Sequence, residues 1–532
     1  MSFTLIDYVV FVGYCLLIVG LGLFIAFKGR SAETNSGDYF LASHALPWWA
    51  IGASLIASNI SAEQFIGMSG SGFAIGLGIA SYEWMAALTL IIVAVFFLPI
   101  FLEKKIYTMP QFLEVRFDKR VKTVMAFFWL LVFVFVNLTS IAYLGATAME
   151  KIMGIPMVYS IIGLSLFAIV YSVFGGLKAV AWTDVIQVVF LIGGGLVTTY
   201  IALDVLGAGD GVVAGCANLY AKASDKFDLV IAEGAHMIPD GKGGTKDAYL
   251  DLPGISVLIG GMWVANLYYW GCNQYIIQRA LAAKSLGQAQ GGLIFAGFLK
   301  LLLPLIVVIP GIAAFALDAD IAKSDQAYPW LLHNFVPNGL KGLAFAALVA
   351  AIVSSLASMM NSISTIFTMD VYKPFFNKKA SERQLVKVGR IVAFASMAIA
   401  MVVAPMLGSI DQVFQYIQEF TGFVSPGALA IFLAGFFYKR ATANGALAAA
   451  LGTFVFSIAF KVFMPSLPFM DRMGLVFILC AGLIILFAYI EGNKPSEKAI
   501  TIKPSLFKTS VGFKIAAACI VAILIFLYSI WW

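Results

Sequence analysis

Between residues 58 and 64 the chain reads Ser58-Asn59-Ile60-Ser61-Ala62-Glu63-Gln64, five polar side chains in seven positions of a stretch otherwise apolar enough to cross a bilayer. A charged side chain at the centre of a spanning helix costs about 2.5–3.5 kcal/mol, so such groups call for a cavity, a partner or a function. A second irregular stretch, GGMWVANLYYWGCNQ, places Asn266, Tyr268, Tyr269 and Asn273 among Gly260, Gly261 and Gly271. Further polar groups occur singly in apolar runs: Glu83 after Tyr82, Asp184 in AWTDVIQ, and Lys300 in GFLKLLLP. Ser354 and Ser355 occur in AAIVSSLASMMNS, and Gln415, Gln418 and Glu419 in FQYIQEFTG. Amides, a carboxylate, an ammonium and aromatic rings suit a carbohydrate, which needs donors and acceptors for its hydroxyls and a flat ring for its C–H face. Serine hydroxyls, together with carbonyls freed where a helix is broken, are hard oxygen ligands that suit an alkali cation. Plainer readings exist for each group alone. Polar residues can glue helices together, Lys300 can snorkel, and a serine pair can bond back to its own helix.

The elements that must position these groups are membrane helices. Of 532 residues, 61% are apolar and 12% charged, and the mean hydropathy is +0.94. Soluble chains carry about twice that charge, and disorder needs low hydrophobicity. Stretches long enough to span lie at 6–28, 48–72, 77–102, 123–149, 156–175, 179–206, 253–275, 287–317, 340–369, 388–409, 412–437, 442–463, 472–490 and 511–531, about fourteen helices by the length a bilayer requires. The first lacks a basic leader and a small-residue cleavage pattern, so it is expected to be kept as a span. The period-two alternation of a membrane barrel is absent. The irregular stretches fall in the second and seventh spans, five apart, as two five-helix halves of an inverted repeat would place them.

Lysine and arginine set the orientation. Clusters at Lys104–Lys122, Lys373–Arg390, Lys439–Arg440 and Lys494–Lys508 share one side if the N-terminus lies outside, whereas the 207–252 loop on the other side is acidic. By the positive-inside rule both termini are then extracytoplasmic. The +6 net charge is thereby a topology signal rather than a sign of a nucleic-acid partner. GKGGT at 241–245 lacks the spacing of a phosphate loop, and GMSGSG at 67–72 sits at membrane depth. His44, His236 and His333 fall in loops, and the five cysteines are too scattered for a disulfide framework or a metal site. An enzyme would need a nucleophile with its base or a metal cluster, and a channel a continuous polar lining; neither pattern is present.

Several long motifs resemble the sodium/solute symporters, and within them the bacterial sodium/galactose (glucose) cotransporter branch: SNISAEQFIGMSGSGFAIGLGIASYEWMAA, GGLKAVAWTDVIQ, WVANLYYWGCNQYIIQR, AAIVSSLASMMNS, FQYIQEFTGFVSPG and GFFYKRATANGALAAALG. The resemblance implies an all-α polytopic membrane protein with a LeuT-type five-plus-five inverted repeat and discontinuous helices. The expected divisions are a first peripheral span with its inner loop (1–45), repeats at 46–206 and 253–440 flanking the 207–252 loop, and three peripheral spans at 441–532. It further implies a sodium site made by the carbonyls of Ala57, Ile60 and Ala351 and the hydroxyls of Ser354 and Ser355, with Asp184 on the inward sodium exit. A sugar would meet Gln64, Glu83, Asn266, Lys300 and Gln418, stack on Tyr269 as inner gate, and be covered by Met68, Tyr82 and Phe414. Ala86 departs from the pattern, which has a sugar-contacting serine there. A neutral hexose is therefore expected without galactose being singled out. Another small solute (a polyol, sialic acid, amino acid or vitamin) and a non-transporting sugar sensor are the alternatives. The implied function is sodium-coupled uptake in a bacterial inner membrane.

Overall fold

An apolar chain in hydrocarbon must satisfy its own backbone, which favours continuous helices and makes each interruption costly. The computed structural model describes residues 3–28, 46–106, 108–240, 244–410 and 412–532, with backbone alone at 23, 25–28, 171–180 and 409; His44 and 241–243 of the GKGGT segment lie outside the described residues. In chain order the helices are α1 (Leu5–Lys28), α2 (Trp48–Asn59) and α3 (Glu63–Met68 as a π-helical turn, then Ser69–Ala74). Next come α4 (Leu77–Glu103), α5 (Lys119–Met153) and α6 (Met157–Leu206). The second half has α7 (Gly261–Cys272), α8 (Gln274–Leu281), α9 (Leu286–Ala316), α10 (Leu340–Phe376) and α11 (Glu382–Val403). It continues with α12 (Val413–Thr421), α13 (Ser425–Phe437), α14 (Ala443–Phe463), α15 (Phe469–Ile490) and α16 (Val511–Ile530).

Among the described residues ten helices are long and apolar enough to cross a membrane, or twelve if each of two bent pairs is one span, against the fourteen expected. The two other expected spans explain the difference. The one at 48–72 is cut after Asn59, leaving α2 only 12 residues long, and the one at 156–175 is represented by the shorter apolar stretch Met157–Val170. The expected fifth and sixth spans are joined, since α6 runs unbroken for 50 residues. Gly175 and Gly176 cost about 1 kcal/mol each in a helix and no proline accompanies them, so they do not end it. The expected span at 253–275 also shifts. The chain turns by 79° between Ala248–Ile259 and Gly261–Cys272, about Gly260 at φ −118°, ψ −123°, so the helix that enters the core begins at Gly261.

Both interruptions follow one plan. After α2, Ile60 is extended (φ −74°, ψ 93°) before the π-helical turn Glu63–Met68. After the π-helical turn Tyr268–Cys272, Asn273 is extended (φ −91°, ψ 121°), and its side chain caps α8 by accepting from the Tyr275 backbone N–H at 3.0 Å. Such π-helical turns are frequent at functional sites. The chain before α2 pairs with the chain after α8, Leu46 N–H donating to the Ala282 carbonyl at 3.2 Å and Lys284 N–H to the Leu46 carbonyl at 3.3 Å.

Small residues let α9 lie against both halves of the first broken helix. A Cβ on Gly52 of α2 would stand 2.7 Å from the Gly292 carbonyl, one on Gly72 of α3 would stand 2.8 Å from the Val308 carbonyl, and one on Gly311 would collide with the Ser69 carbonyl. Close backbone approach of this kind is how helices associate where lipid removes the hydrophobic drive. The loop at 207–252 contributes a further clamp. Lys226 Nζ donates to the Ala74 carbonyl at the end of α3 at 2.7 Å and lies 4.7 Å over the Phe315 ring. Burial pushes this ammonium's pKa down, against a smaller opposing pull from Asp225. The loop also carries a short hairpin, Met237–Pro239 against Thr245–Asp247. α10 is the most buried of the long helices, whereas α1 and α16 present most of their surface outward.

Replacing Gly311 by Val is expected to destabilise the protein by about 1–3 kcal/mol through overpacking. Gly193→Val, where nothing lies within 4 Å of the added carbon, is expected to leave the midpoint unchanged. Thermal unfolding in detergent compares the two.

Candidate functional site

The two interruptions and three further helices line one chamber. Asn59, Glu63 and Gln64 reach it from the first break, Tyr82, Glu83 and Ala86 from α4, and Ala265, Asn266, Tyr269 and Trp270 from α7; Lys300 of α9 and Phe414 and Gln418 of α12 complete the wall. Gln64, Glu83, Asn266, Tyr269, Lys300 and Gln418, separated in sequence by more than three hundred positions, thus share one chamber with Tyr82 and Phe414. Met68 is fully buried but is not part of the wall. It sits one turn beyond Gln64, and the adjoining Gly67 packs against Phe414. Ala86 does face the chamber, at the position where the family pattern has a serine.

Lys300 organises the polar wall. Its ammonium donates to the Asn59 side-chain oxygen and to Glu83 and lies 4.9 Å over the Trp270 ring. Asn59 in turn donates to the Tyr269 hydroxyl at 3.2 Å. Lys300 is 1% exposed and Glu83 3%, so this is a buried ion pair, not a snorkelling lysine. Gln64 accepts from the Ser61 N–H at 3.1 Å and Asn266 donates to the Met262 carbonyl at 3.2 Å, which leaves each amide hydrogen-bonding capacity toward the chamber. Tyr82 and Phe414 meet edge to face with centroids 5.1 Å apart. Glu419, expected beside Gln418, points elsewhere and pairs with Arg472 at 3.0 Å and Lys461 at 3.1 Å.

A second polar cluster lies where α2 ends against α10. The last carbonyls of a helix lack intrahelical partners, and the Ser58 carbonyl accepts from the Tyr275 hydroxyl and, at 3.2 Å, from Ser355. Ser354 donates to Asp184, which also accepts from Ser54 at 2.5 Å and stands 3.9 Å from Arg279. Arg279 donates to Ser54 at 3.0 Å, Ser358 at 2.5 Å and the Tyr275 carbonyl at 2.6 Å. Ala57, Ile60, Ala351, Ser354 and Ser355 are all fully buried. Since Ser354 and Ser355 spend their hydrogens on Asp184 and Ser58, their oxygen lone pairs are left for a cation, and the donor set fits a hard alkali ion. Asp184 thus touches a member of the serine pair directly. Sequence reasoning gave Arg279, Ser54, Ser358 and Tyr275 no role. The signal for Arg279 was a cation two residues from Ile277 in an apolar stretch; Asn59 and Trp270 lay beside residues that were assigned.

A model of the sodium:solute symporter family matches residues 39–452. A sodium/glucose cotransporter of Vibrio parahaemolyticus is 51% identical over 549 residues, covering 99% of this chain and 98% of that one. A sodium/myo-inositol cotransporter 2 of Mus musculus is 34% identical over 467 residues, 83% of this chain and 67% of its own. Among solved structures, a Na+-coupled sialic acid symporter in a substrate-bound outward-open state matches with a TM-score of 0.79 at 25% identity, over 93% of this chain and all of that one.

Removing one partner of a buried ion pair costs about 3–5 kcal/mol, because the other charge is left uncompensated. Lys300→Met is therefore expected to lower the thermal midpoint strongly, and adding Glu83→Gln to the same chain to recover much of the loss. Additive effects in that double-mutant cycle would contradict the pairing.

Proposed function

This chain belongs to the sodium:solute symporter family, and on that premise we propose that it takes up a neutral hexose of the glucose or galactose type, driven by sodium, through alternating access of an inverted repeat. The observation that supports this most is the chamber itself. It gathers Gln64, Glu83, Asn266, Lys300 and Gln418 around one space beside the Tyr269 and Trp270 rings. Amide, carboxylate and ammonium groups can bond several hydroxyls, and a ring can take the C–H face of a sugar. Glu83 is balanced by Lys300, and Glu63 adds a second carboxylate to the wall, so a carboxylate solute would meet like charge and an uncharged one is favoured. The family and fold are those of transporters, not enzymes.

In this reading sodium is the coupling ion, held by the carbonyls of Ala57, Ile60 and Ala351 and the hydroxyls of Ser354 and Ser355. The ion ties the end of α2 to α10 and favours the outward-facing form. Sugar binding brings Tyr82, Phe414 and Met68 over the chamber, the two repeats rock, and sodium leaves past Asp184. Tyr269 is the inner gate. The repeats run over 46–206 and 253–440, with 1–45 and 441–532 peripheral. The membrane is the bacterial inner membrane, with both termini on the extracytoplasmic side as the lysine and arginine bias favours. One charge crossing 100 mV yields about 2.3 kcal/mol and a tenfold sodium gradient about 1.4. Together they support a sugar ratio of about 500 for each sodium.

Radiolabelled hexose uptake into proteoliposomes is expected to require sodium and to vanish in Gln64→Ala; uptake indifferent to sodium would refute the proposal. Ser354→Ala is expected to raise the half-saturating sodium concentration with a smaller effect on sugar affinity at saturating sodium. Ala86→Ser adds one hydroxyl to the wall, worth about 0.5–1.5 kcal/mol if it bonds the sugar. It is expected to sharpen discrimination across a hexose panel by up to about tenfold.

A further inference from the structure

Glu419 adjoins Gln418 on α12 but turns away from the chamber, and the sugar reading leaves it without a role. Two cations from helices outside the chamber wall hold it. Arg472 of α15 donates to it at 3.0 Å, and Lys461 of α14 stands at 3.1 Å. The Arg472 side chain is 13% exposed and that of Lys461 40%, so the arginine bond is the better shielded from water and salt. Lys461 also lies 4.8 Å over the Phe420 ring.

Arg472 belongs to a run of four residues that all face bends. α7 is entered through the 79° turn between Ala248–Ile259 and Gly261–Cys272, and α12 meets α13 at 45°. Before the 79° turn the Ser256 hydroxyl donates to Asp471. After it, Gly261 lies so close to α15 that a Cβ would collide with the Met470 carbonyl. Before the 45° bend Glu419 accepts from Arg472, and at the bend a Cβ on Gly422 would stand 2.9 Å from the Met473 sulfur. Met470, Asp471, Arg472 and Met473, at the start of α15, thus touch both elements where they bend. These bends matter because α7 brings Asn266 and Tyr269 to the chamber and α12 brings Phe414 and Gln418. α12 has only nine residues, and an isolated helix shorter than about 12–15 residues is marginal, so its contacts decide where it lies. None of the four α15 residues lines the chamber.

Resting on the hexose reading above, we infer that the start of α15 is a brace that sets the spacing of α7 and α12 across the chamber, and that Arg472 is a positioning residue for sugar affinity. It acts through Glu419, one residue from Gln418. With the brace intact, α12 is held before the sugar arrives, so binding does not bear the cost of ordering it. Losing the bond leaves Glu419 to the half-exposed Lys461 alone. Gln418 and Phe414 then sample positions outside the sugar-binding arrangement.

Two readouts on the purified chain test this. At saturating sodium, Arg472→Gln and Glu419→Gln are expected to weaken equilibrium hexose binding by about threefold to tenfold. Arg472→Lys is expected to recover most of the affinity, and the double glutamine variant to bind no more weakly than Glu419→Gln alone. Hydrogen exchange, which needs no sugar, is expected to speed up over residues 413–421 in both glutamine variants while α10 keeps the wild-type rate. Glu419→Gln carries both readouts if Arg472→Gln fails to fold. Unchanged affinity in folded variants overturns the inference. So do losses that add in the double variant, and exchange over 413–421 that stays at the wild-type rate. A wild type that binds no hexose refutes the sugar reading instead, and exchange alone then decides whether the brace exists.

Discussion

The Ser58 carbonyl is the point on which the core depends. It is an acceptor that α2 frees by ending in mid-membrane, and an unsatisfied carbonyl there costs several kcal/mol. The structure satisfies it twice, with the Tyr275 hydroxyl from beyond the second interruption and with Ser355 of α10. The first half of the chain is thereby fastened to two elements of the second half through the backbone group that interrupting the helix set free. Any ligand that changes how α2 meets α10 acts on this junction.

Charge is distributed to reinforce that junction. Arg279, one turn after Tyr275, donates to the Tyr275 carbonyl and to serines of α2 and α10 while facing Asp184 of α6. Four helices thus share one buried cation. At the same helix end, Lys300 joins α9 to Asn59 and Glu83, and Asn59 passes the connection to Tyr269. The chamber and the serine cluster therefore meet at the same end of α2, through the adjacent residues Asn59 and Ser58. A change in occupancy of one has a short covalent path to the other. Glycine contacts on α9 keep both halves of that broken helix in register while it does so.

Much of the site was legible in sequence, because hydrocarbon makes polarity conspicuous. Glu63, Gln64, Glu83 and Lys300 stand out against apolar neighbours, and their gathering in one chamber follows from the repeat. What could not be read was partnership. Nothing in the sequence pairs Lys300 with Glu83, 217 positions away, and that pair changes the lysine from a candidate snorkel to an organiser. Arg279 was overlooked because a cation close to a helix end resembles a topology signal. Spans were harder where hydropathy and helix geometry part company. Glycines at 175 and 176 interrupt the hydropathy pattern without ending α6, whereas Gly260 turns a chain whose hydropathy is continuous.

The central claim is that sodium strengthens sugar binding through the junction at Ser58. Equilibrium sugar binding to the purified protein, with and without sodium, measures that coupling for wild type and for Tyr275→Phe, which removes one donor from the junction without touching the chamber's polar wall. Coupling of this kind amounts to about 5–150-fold in affinity. The account predicts that sodium tightens sugar binding within that range in wild type and much less in Tyr275→Phe, with sodium-free affinity little changed. An enhancement of equal size in both proteins would contradict it.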